Sequence, residues 1–169
     1  MAETIIKLAA NVKTGLPAGT RLSDDTYELE KVLAAGGMGE VYRGRLVETG
    51  DPVAIKMIKP EFAGDEAILS LFRKEASALY SLSHDAIVRY FIFSVDKRLS
   101  RPYLAMEYVD GPSLTDRIKQ TPLTYDQVTT LRQRVASGLQ AAHDKGIIHR
   151  DISSDNIIQI GRASCRERV

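Results

Sequence analysis

The stretch Ile147-Ile148-His149-Arg150-Asp151-Ile152-Ser153-Ser154-Asp155-Asn156 decides how this chain is read. It puts a carboxylate at 151 and a side-chain amide at 156 on one short loop. Such a pair can divide labour: the carboxylate orients an attacking hydroxyl and takes its proton, while the amide oxygen coordinates Mg²⁺. Four fixed residues at this spacing arise by chance at about one position in 160,000 on uniform frequencies, so a random loop is a poor account of them.

Immediately upstream, Val128, Leu131, Val135, Leu139 and Ala142 recur at helical spacing. Thr124 and Gln127 read as a capping box at the start of that helix, and Gly146 as the C′ residue at its end. Further back, Asp110-Gly111-Pro112 marks a change of composition and the expected boundary between two lobes. Before that boundary the pattern is mixed. Strands are predicted at Tyr27 to Leu33, Glu40 to Leu46, Val53 to Ile58, Ile87 to Val95 and Tyr103 to Val109. The first three suggest an antiparallel meander, and the polar run DKRLSRP separates the last two. One helix, Asp65 to Leu82, interrupts them, with an apolar stripe of Ile68, Leu71, Phe72, Ala78, Leu79 and Leu82. The expected fold class is therefore α+β, a five-stranded antiparallel sheet with one helix followed by the beginning of a helical lobe.

Two further signals precede the loop. The turn Leu33-Ala34-Ala35-Gly36-Gly37-Met38-Gly39-Glu40-Val41-Tyr42 has glycines that let backbone approach a polyphosphate and leave N–H groups to donate to its oxygens. Glycines equally serve to close an ordinary hairpin. Lys56 lies inside a strand, on a face with Ala54 and Ile58, where an ammonium needs a partner. Alone it reads as an edge-strand lysine that discourages aggregation. Glu75, on the inward stripe of the helix, is costly to bury unpaired and makes Lys56 its candidate partner.

Composition narrows the class. The chain has 169 residues, 44% hydrophobic and 27% charged, enough to bury a core. Lys plus Arg number 23 against 22 Asp plus Glu, a net charge of +1 that supplies no electrostatic footprint for nucleic acid or an anionic membrane. The single Cys, Cys165, excludes a disulfide scaffold and points to a cytoplasmic protein. No apolar run approaches the length of a membrane span, so no membrane contact is expected from this segment.

In the order glycine turn, Lys56, Glu75, His149-Arg150-Asp151 and Asn156, the chain resembles eukaryotic-like protein kinases, and is most similar to the bacterial serine/threonine class. The resemblance covers residues 27 to 159. It implies the two-lobed kinase fold, ATP and Mg²⁺ as cofactors, and a protein substrate phosphorylated on serine or threonine. Leu33, Gly36, Gly39 and Val41 would roof the nucleotide, and Ala54 would touch adenine. Lys56 would hold the α- and β-phosphates and pair with Glu75, while Met106 would be the gatekeeper. The Glu107 carbonyl and Val109 N–H would read the adenine edge. Asp151 would be the base, Asn156 a metal ligand, His149 a packing anchor, and Arg150 the receiver of a phosphorylated activation loop.

The sequence departs from the family pattern at three places. Ala34 stands where the first glycine usually lies, and Ser153 where serine/threonine kinases usually carry a lysine. No Asp follows Asp155, so the metal-binding aspartate of the family is not in this chain, and the polypeptide as given is expected to be inactive. These departures keep open a pseudokinase, an ATP-binding regulatory or scaffold module. A small-molecule phosphotransferase of the wider superfamily fits less well because of Arg150. The organisation expected is a partly disordered leader at 1–25, an N-lobe at 26–109, a hinge exit and partial C-lobe at 110–159, and a non-native tail at 160–169. The tail, Ile160 onward, is small and basic without periodicity and matches the translation of a sequencing adapter.

Overall fold

The computed structural model describes residues 15–160 and 164–167. Most of the expected leader, residues 1–14, and part of the expected tail, 161–163 and 168–169, lie outside the described residues. The chain divides into two compact units: the described residues up to Ala76 with Phe91–Met106, and Ser77–Tyr90 with the described residues from Glu107 on.

The first unit is built on a sheet in the order β1-β2-β3-β4-β6-β5: β1 (Arg21–Leu22), β2 (Tyr27–Ala35), β3 (Gly39–Leu46), β4 (Pro52–Ile58), β5 (Tyr90–Asp96) and β6 (Arg101–Glu107). Strands β2 to β4 form the expected antiparallel meander, and β1 adds to its edge, antiparallel to β2. The sheet has six strands, one more than the sequence reading. The extra one, β1, is only two residues long, too short to display an alternation, and is fixed by pairing Arg21 with Glu28 and Leu22 with Tyr27. It falls within the stretch read as leader. Glu28 then bridges Arg21 at 3.1 Å and Arg45 at 2.7 Å, and these hydrogen-bonded guanidinium groups hold its carboxyl below the usual range.

Alternation along β3 and β4 sends Tyr42, Val53, Ile55 and Met57 to one face, where they pack with Leu22, Tyr27, Leu29, Tyr103 and Ala105 as the core of the unit. The other face keeps Gly39, Val41, Ala54, Lys56 and Ile58 together, because Gly39 pairs with Ile58 and Val41 with Lys56. Strand β2 carries two register shifts, one between Leu29 and Lys31 and one between Val32 and Ala34. Leu33 is the extra residue of the second, a β-bulge that bends the strand just before the glycine-rich turn.

Helix α1 (Glu66–Tyr80) starts where the Asp65 carboxylate accepts from the Ala67 and Ile68 N–H groups at 2.9 and 3.1 Å. Its buried residues are Leu69, Phe72, Ala76 and Leu79. Leu71, expected on the inward stripe, is 61% exposed. Spacings of three and four fit both Leu71 and Leu69 as partners of neighbouring apolar residues. At 100° per residue only one of two positions two apart can face inward, and Leu69 does.

In the second unit, the Ser113 hydroxyl caps α2 (Leu114–Gln120). Thr124 and Gln127 form the expected capping box on α3 (Tyr125–His143). Helix α3 ends three residues short of Gly146. A tighter turn, Lys145 N–H to Ala142 O and Gly146 N–H to His143 O, fills the gap before Gly146 takes φ +71°. Leu82, Ile87, Ala142 and Ile147 cluster here, and Val128 at the far end of the stripe is exposed. Strand β7 (Ile157–Ile160) pairs with β8 (Ser164–Glu167), and Gln159 N–H donates to the Pro112 carbonyl at 3.1 Å. Gly111 is required by this approach: a Cβ there would lie 2.2 Å from the Gln159 carbonyl oxygen.

Candidate active site

In the first unit the glycine-rich turn Gly36-Gly37-Met38 joins β2 to β3. Gly36 N–H donates to the Gly39 carbonyl at 2.8 Å, and Lys59 N–H to the Met38 carbonyl at 3.0 Å, so the turn is anchored at both ends of its span. The three glycines differ in what they answer to. A Cβ on Gly39 would stand 2.8 Å from the Met57 carbonyl oxygen, so that glycine is demanded by the sheet itself. Gly36 would meet nothing closer than 3.7 Å and Gly37 nothing within 4 Å, and neither has a positive φ. The packing of the described residues gives no reason for glycine at 36 or 37 and leaves open space beside them.

Lys56 projects from β4 on the same face as Val41 and Ala54. Its Nζ lies 2.5 Å from Glu75 Oε1 on α1 and 5.9 Å from the centre of the Phe72 ring. The two charges that the sequence pairs are thus together, 35% and 30% exposed. At that exposure the ion pair stabilises the fold by about 1 kcal/mol at most, solvent screening reducing it further. Its use is to fix the direction of the ammonium. Leu33, half-buried in its bulge, and Val41 flank the turn. Met106 is half-buried, and Val109 is buried just beyond β6. Glu107 N–H donates to the Arg89 carbonyl at 2.8 Å, and its carboxylate accepts from Arg89 N–H at 3.2 Å.

In the second unit the loop after α3 folds on itself. Asn156 Nδ2 donates to the Asp151 carbonyl at 2.9 Å and to Asp151 Oδ2 at 3.1 Å. Asp151 N–H donates to His149 Nδ1 at 3.2 Å. Arg150 between them has φ +65°, a left-handed conformation that costs a side-chain-bearing residue about 1–2 kcal/mol. Ser154 ties the loop to α2 through its carbonyl on Thr115 N–H and through its hydroxyl, 2.6 Å from the Thr115 hydroxyl. Asp151 is exposed.

A family profile described as the protein kinase domain matches residues 27–163. The chain belongs to the protein kinase family. Its relatives include the serine/threonine-protein kinase Pkn1 of Myxococcus xanthus, 38% identical over 137 residues, which are 81% of this chain and 19% of that protein. PknL of Mycobacterium tuberculosis is 36% identical over 143 residues, 84% of this chain and 35% of the relative. This chain thus spans between about a fifth and about a third of the length of these two relatives. The fold agrees with the kinase domain of M. tuberculosis PknI, at a TM-score of 0.73 and 24% identity over 91% of this chain and 61% of that one. It agrees also with the apo form of PpkA-294, at a TM-score of 0.81 and 24% identity over 93% and 62%.

The family uses ATP and a divalent metal, and the donor set here suits both. Both Nδ2 hydrogen bonds of Asn156 go to Asp151, which leaves Oδ1, a hard oxygen donor of the kind divalent ions take, directed elsewhere. The open space at Gly36 and Gly37 and the braced Lys56 suit a phosphate chain. Among the described residues no group of three or more His, Cys, Asp or Glu side chains converges as a metal cage, and no helix is long and apolar enough to cross a membrane.

Sequence reasoning missed one polar cluster. Glu40 and Arg101, 4% and 5% exposed, form an ion pair of 3.0 Å beneath the glycine-rich turn. The sequence pattern puts Arg101 in the polar run DKRLSRP; it is instead the first residue of β6. The signal lay in the alternation of β3, which puts Glu40 on the face of Tyr42 and not on that of Val41.

Proposed function

We propose that the full-length protein to which this chain belongs transfers the γ-phosphoryl group of ATP to serine or threonine hydroxyls of a protein, with Mg²⁺ as the metal. The observation that carries the reading is the 2.5 Å contact of Lys56 with Glu75, a braced ammonium beside an open glycine-rich turn. On this reading the backbone of Gly36 and Gly39 cradles the phosphates beneath Leu33 and Val41. Lys56 holds the α- and β-phosphates. Ala54, Met106, the Glu107 carbonyl and the Val109 N–H receive adenine. Asp151 orients the acceptor hydroxyl and takes its proton as the oxygen–phosphorus bond forms and the bond to the β-phosphate oxygen breaks. Asn156 holds Asp151 in place and offers Oδ1 to Mg²⁺. The metal, when bound, offsets the charge on the β- and γ-phosphate oxygens.

Ser153 leaves out a cation near the transferring group, and Ala34 adds a Cβ at the end of β2, both of which slow transfer on this reading. They also favour a second reading, a pseudokinase that binds ATP and acts as a regulatory or scaffold module. For the 169-residue polypeptide alone we expect no turnover, since no Asp follows Asp155 to share the metal with Asn156. A cytoplasmic location suits a domain that takes ATP and protein substrates. The test is phosphate transfer from labelled ATP to protein acceptors by the full-length protein. Loss of transfer in both Lys56→Met and Asp151→Asn supports the kinase reading, near-normal transfer in either removes the role given to that residue, and binding of ATP without any transfer selects the second reading.

A further inference from the structure

Beneath the glycine-rich turn runs a buried polar chain that phosphate chemistry does not use. Glu40 follows Gly39, and the alternation of β3 sends its side chain to the core face, away from Gly39 and Val41. Its carboxylate receives Arg101 Nη2 at 3.0 Å and the Tyr42 hydroxyl at 2.7 Å. Arg101 places its Nε–H on the Ile58 carbonyl at 2.7 Å. Ile58 is the last residue of β4 and the register partner of Gly39. The Tyr42 hydroxyl in turn accepts from Leu16 N–H at 2.9 Å. One chain of hydrogen bonds therefore joins the segment before β1 to the point where β3 begins and β4 ends.

A buried ion pair is a poor device for stability, because apolar side chains of similar volume do as well or better. What this pair has that an apolar pair lacks is direction. The planar fork of a guanidinium binds two acceptors at fixed angles, here one on β3 and one on β4. Strand ends fray, and the Gly39–Ile58 pair is the last register pair of β3 and β4, followed toward the turn by the Lys59 N–H to Met38 carbonyl bond. Held by Arg101 from the core side, that rung needs no polar side chain to clamp it on the opposite face, where a phosphate would need the room.

We propose that Glu40 and Arg101 are positioning residues that hold the glycine-rich turn from behind, and that the segment around Leu16, joined through Tyr42, is part of the same device. The turn's grip on nucleotide, which rests on the reading above, then depends on residues that never touch the nucleotide.

The test is amide hydrogen exchange of the full chain, with melting temperature and the dissociation constant of a non-hydrolysable ATP analogue measured alongside. Two variants suffice: the apolar replacement Glu40→Leu with Arg101→Met, and Tyr42→Phe, which keeps the buried ring. In the apolar double variant we expect melting close to that of the unaltered chain, exchange about tenfold faster at Gly36 to Val41, and several-fold weaker analogue binding. Tyr42→Phe should speed exchange both at Leu16 and at the turn. A purely structural pair would regain the turn's exchange rate together with its melting temperature in the double variant, and that result overturns the proposal. So does faster exchange at Leu16 alone in Tyr42→Phe, which decides the matter if the double variant does not fold. Absence of analogue binding by the unaltered chain would instead remove the nucleotide reading and leave the exchange comparison to judge the positioning role.

Discussion

Asn156 grips Asp151 twice with one nitrogen, at the main-chain carbonyl and at Oδ2, and so fixes where the Asp151 carboxylate points. Removing that grip frees the carboxylate to rotate and takes away the amide oxygen that the proposed function gives to Mg²⁺. Asn156→Ala in the full-length protein should lower turnover about a hundredfold or more and shift the Mg²⁺ concentration needed upward. Turnover measured across a Mg²⁺ titration checks this, and activity within about twofold of the unaltered protein would contradict the role.

Lys56→Met should separate stability from function. The Lys56–Glu75 pair is one-third exposed, so its loss changes folding free energy by about 1 kcal/mol or less. Phosphate transfer should nevertheless fall by about two orders of magnitude or more, because in the proposed function Lys56 is the cation that holds the phosphates. Thermal melts and a transfer assay on the same preparation distinguish this from a variant that is merely misfolded.

The glycines of the turn make opposite predictions. Gly39→Ala drives a methyl group against the Met57 carbonyl and should destabilise the domain by about 1–3 kcal/mol, with or without nucleotide. Gly37→Ala meets open space and should leave the melting temperature within the range of an ordinary surface change, about 0.5 kcal/mol. Any weakening of nucleotide binding in Gly37→Ala therefore reports contact with the ligand. Equal melting of the two variants would show that the close approach at Gly39 is not rigid.

Burial and the hydrogen bond to Glu40 push the Tyr42 hydroxyl up to about 12 from its ordinary 10.0. The folded state thus binds this proton more tightly than the unfolded chain does. Its contribution to stability is complete below about pH 10 and is lost as pH climbs toward about 12. An alkaline titration followed by phenolate absorbance should show Tyr42 ionising well above the ordinary tyrosine value. The difference between the unaltered protein and Tyr42→Phe should appear only at the top of the range. A difference near pH 10 would place the hydroxyl in contact with water.

What could be read from the sequence follows from how local each feature is. The meander, the capping box and the loop from His149 to Asn156 are set by neighbours within a few residues, and their patterns are visible without a partner. The pairing of Lys56 with Glu75 was legible because a carboxylate on an apolar helical stripe asks for a cation and few strand positions offer one. Strand β1 was not legible, since two residues define no period and Leu22 is held by a partner strand. Arg101 and Glu40 were not, because a charged residue beside a turn reads as solvated until the fold brings a second buried charge and a strand-end carbonyl to it. The choice of Leu69 over Leu71 as the inward residue depends on the rotation of α1 against the sheet, which spacings alone leave undetermined.

The left-handed backbone at Arg150 sets local comfort against purpose. Glycine there would relieve the side-chain clash, so a laboratory selection scored on heat resistance alone would be drawn toward Arg150→Gly. Each such gain would surrender the guanidinium and slacken the bend that carries Asp151. Thermostability and activity should therefore diverge at this position, and variants improved for one should be screened for the other before they are combined.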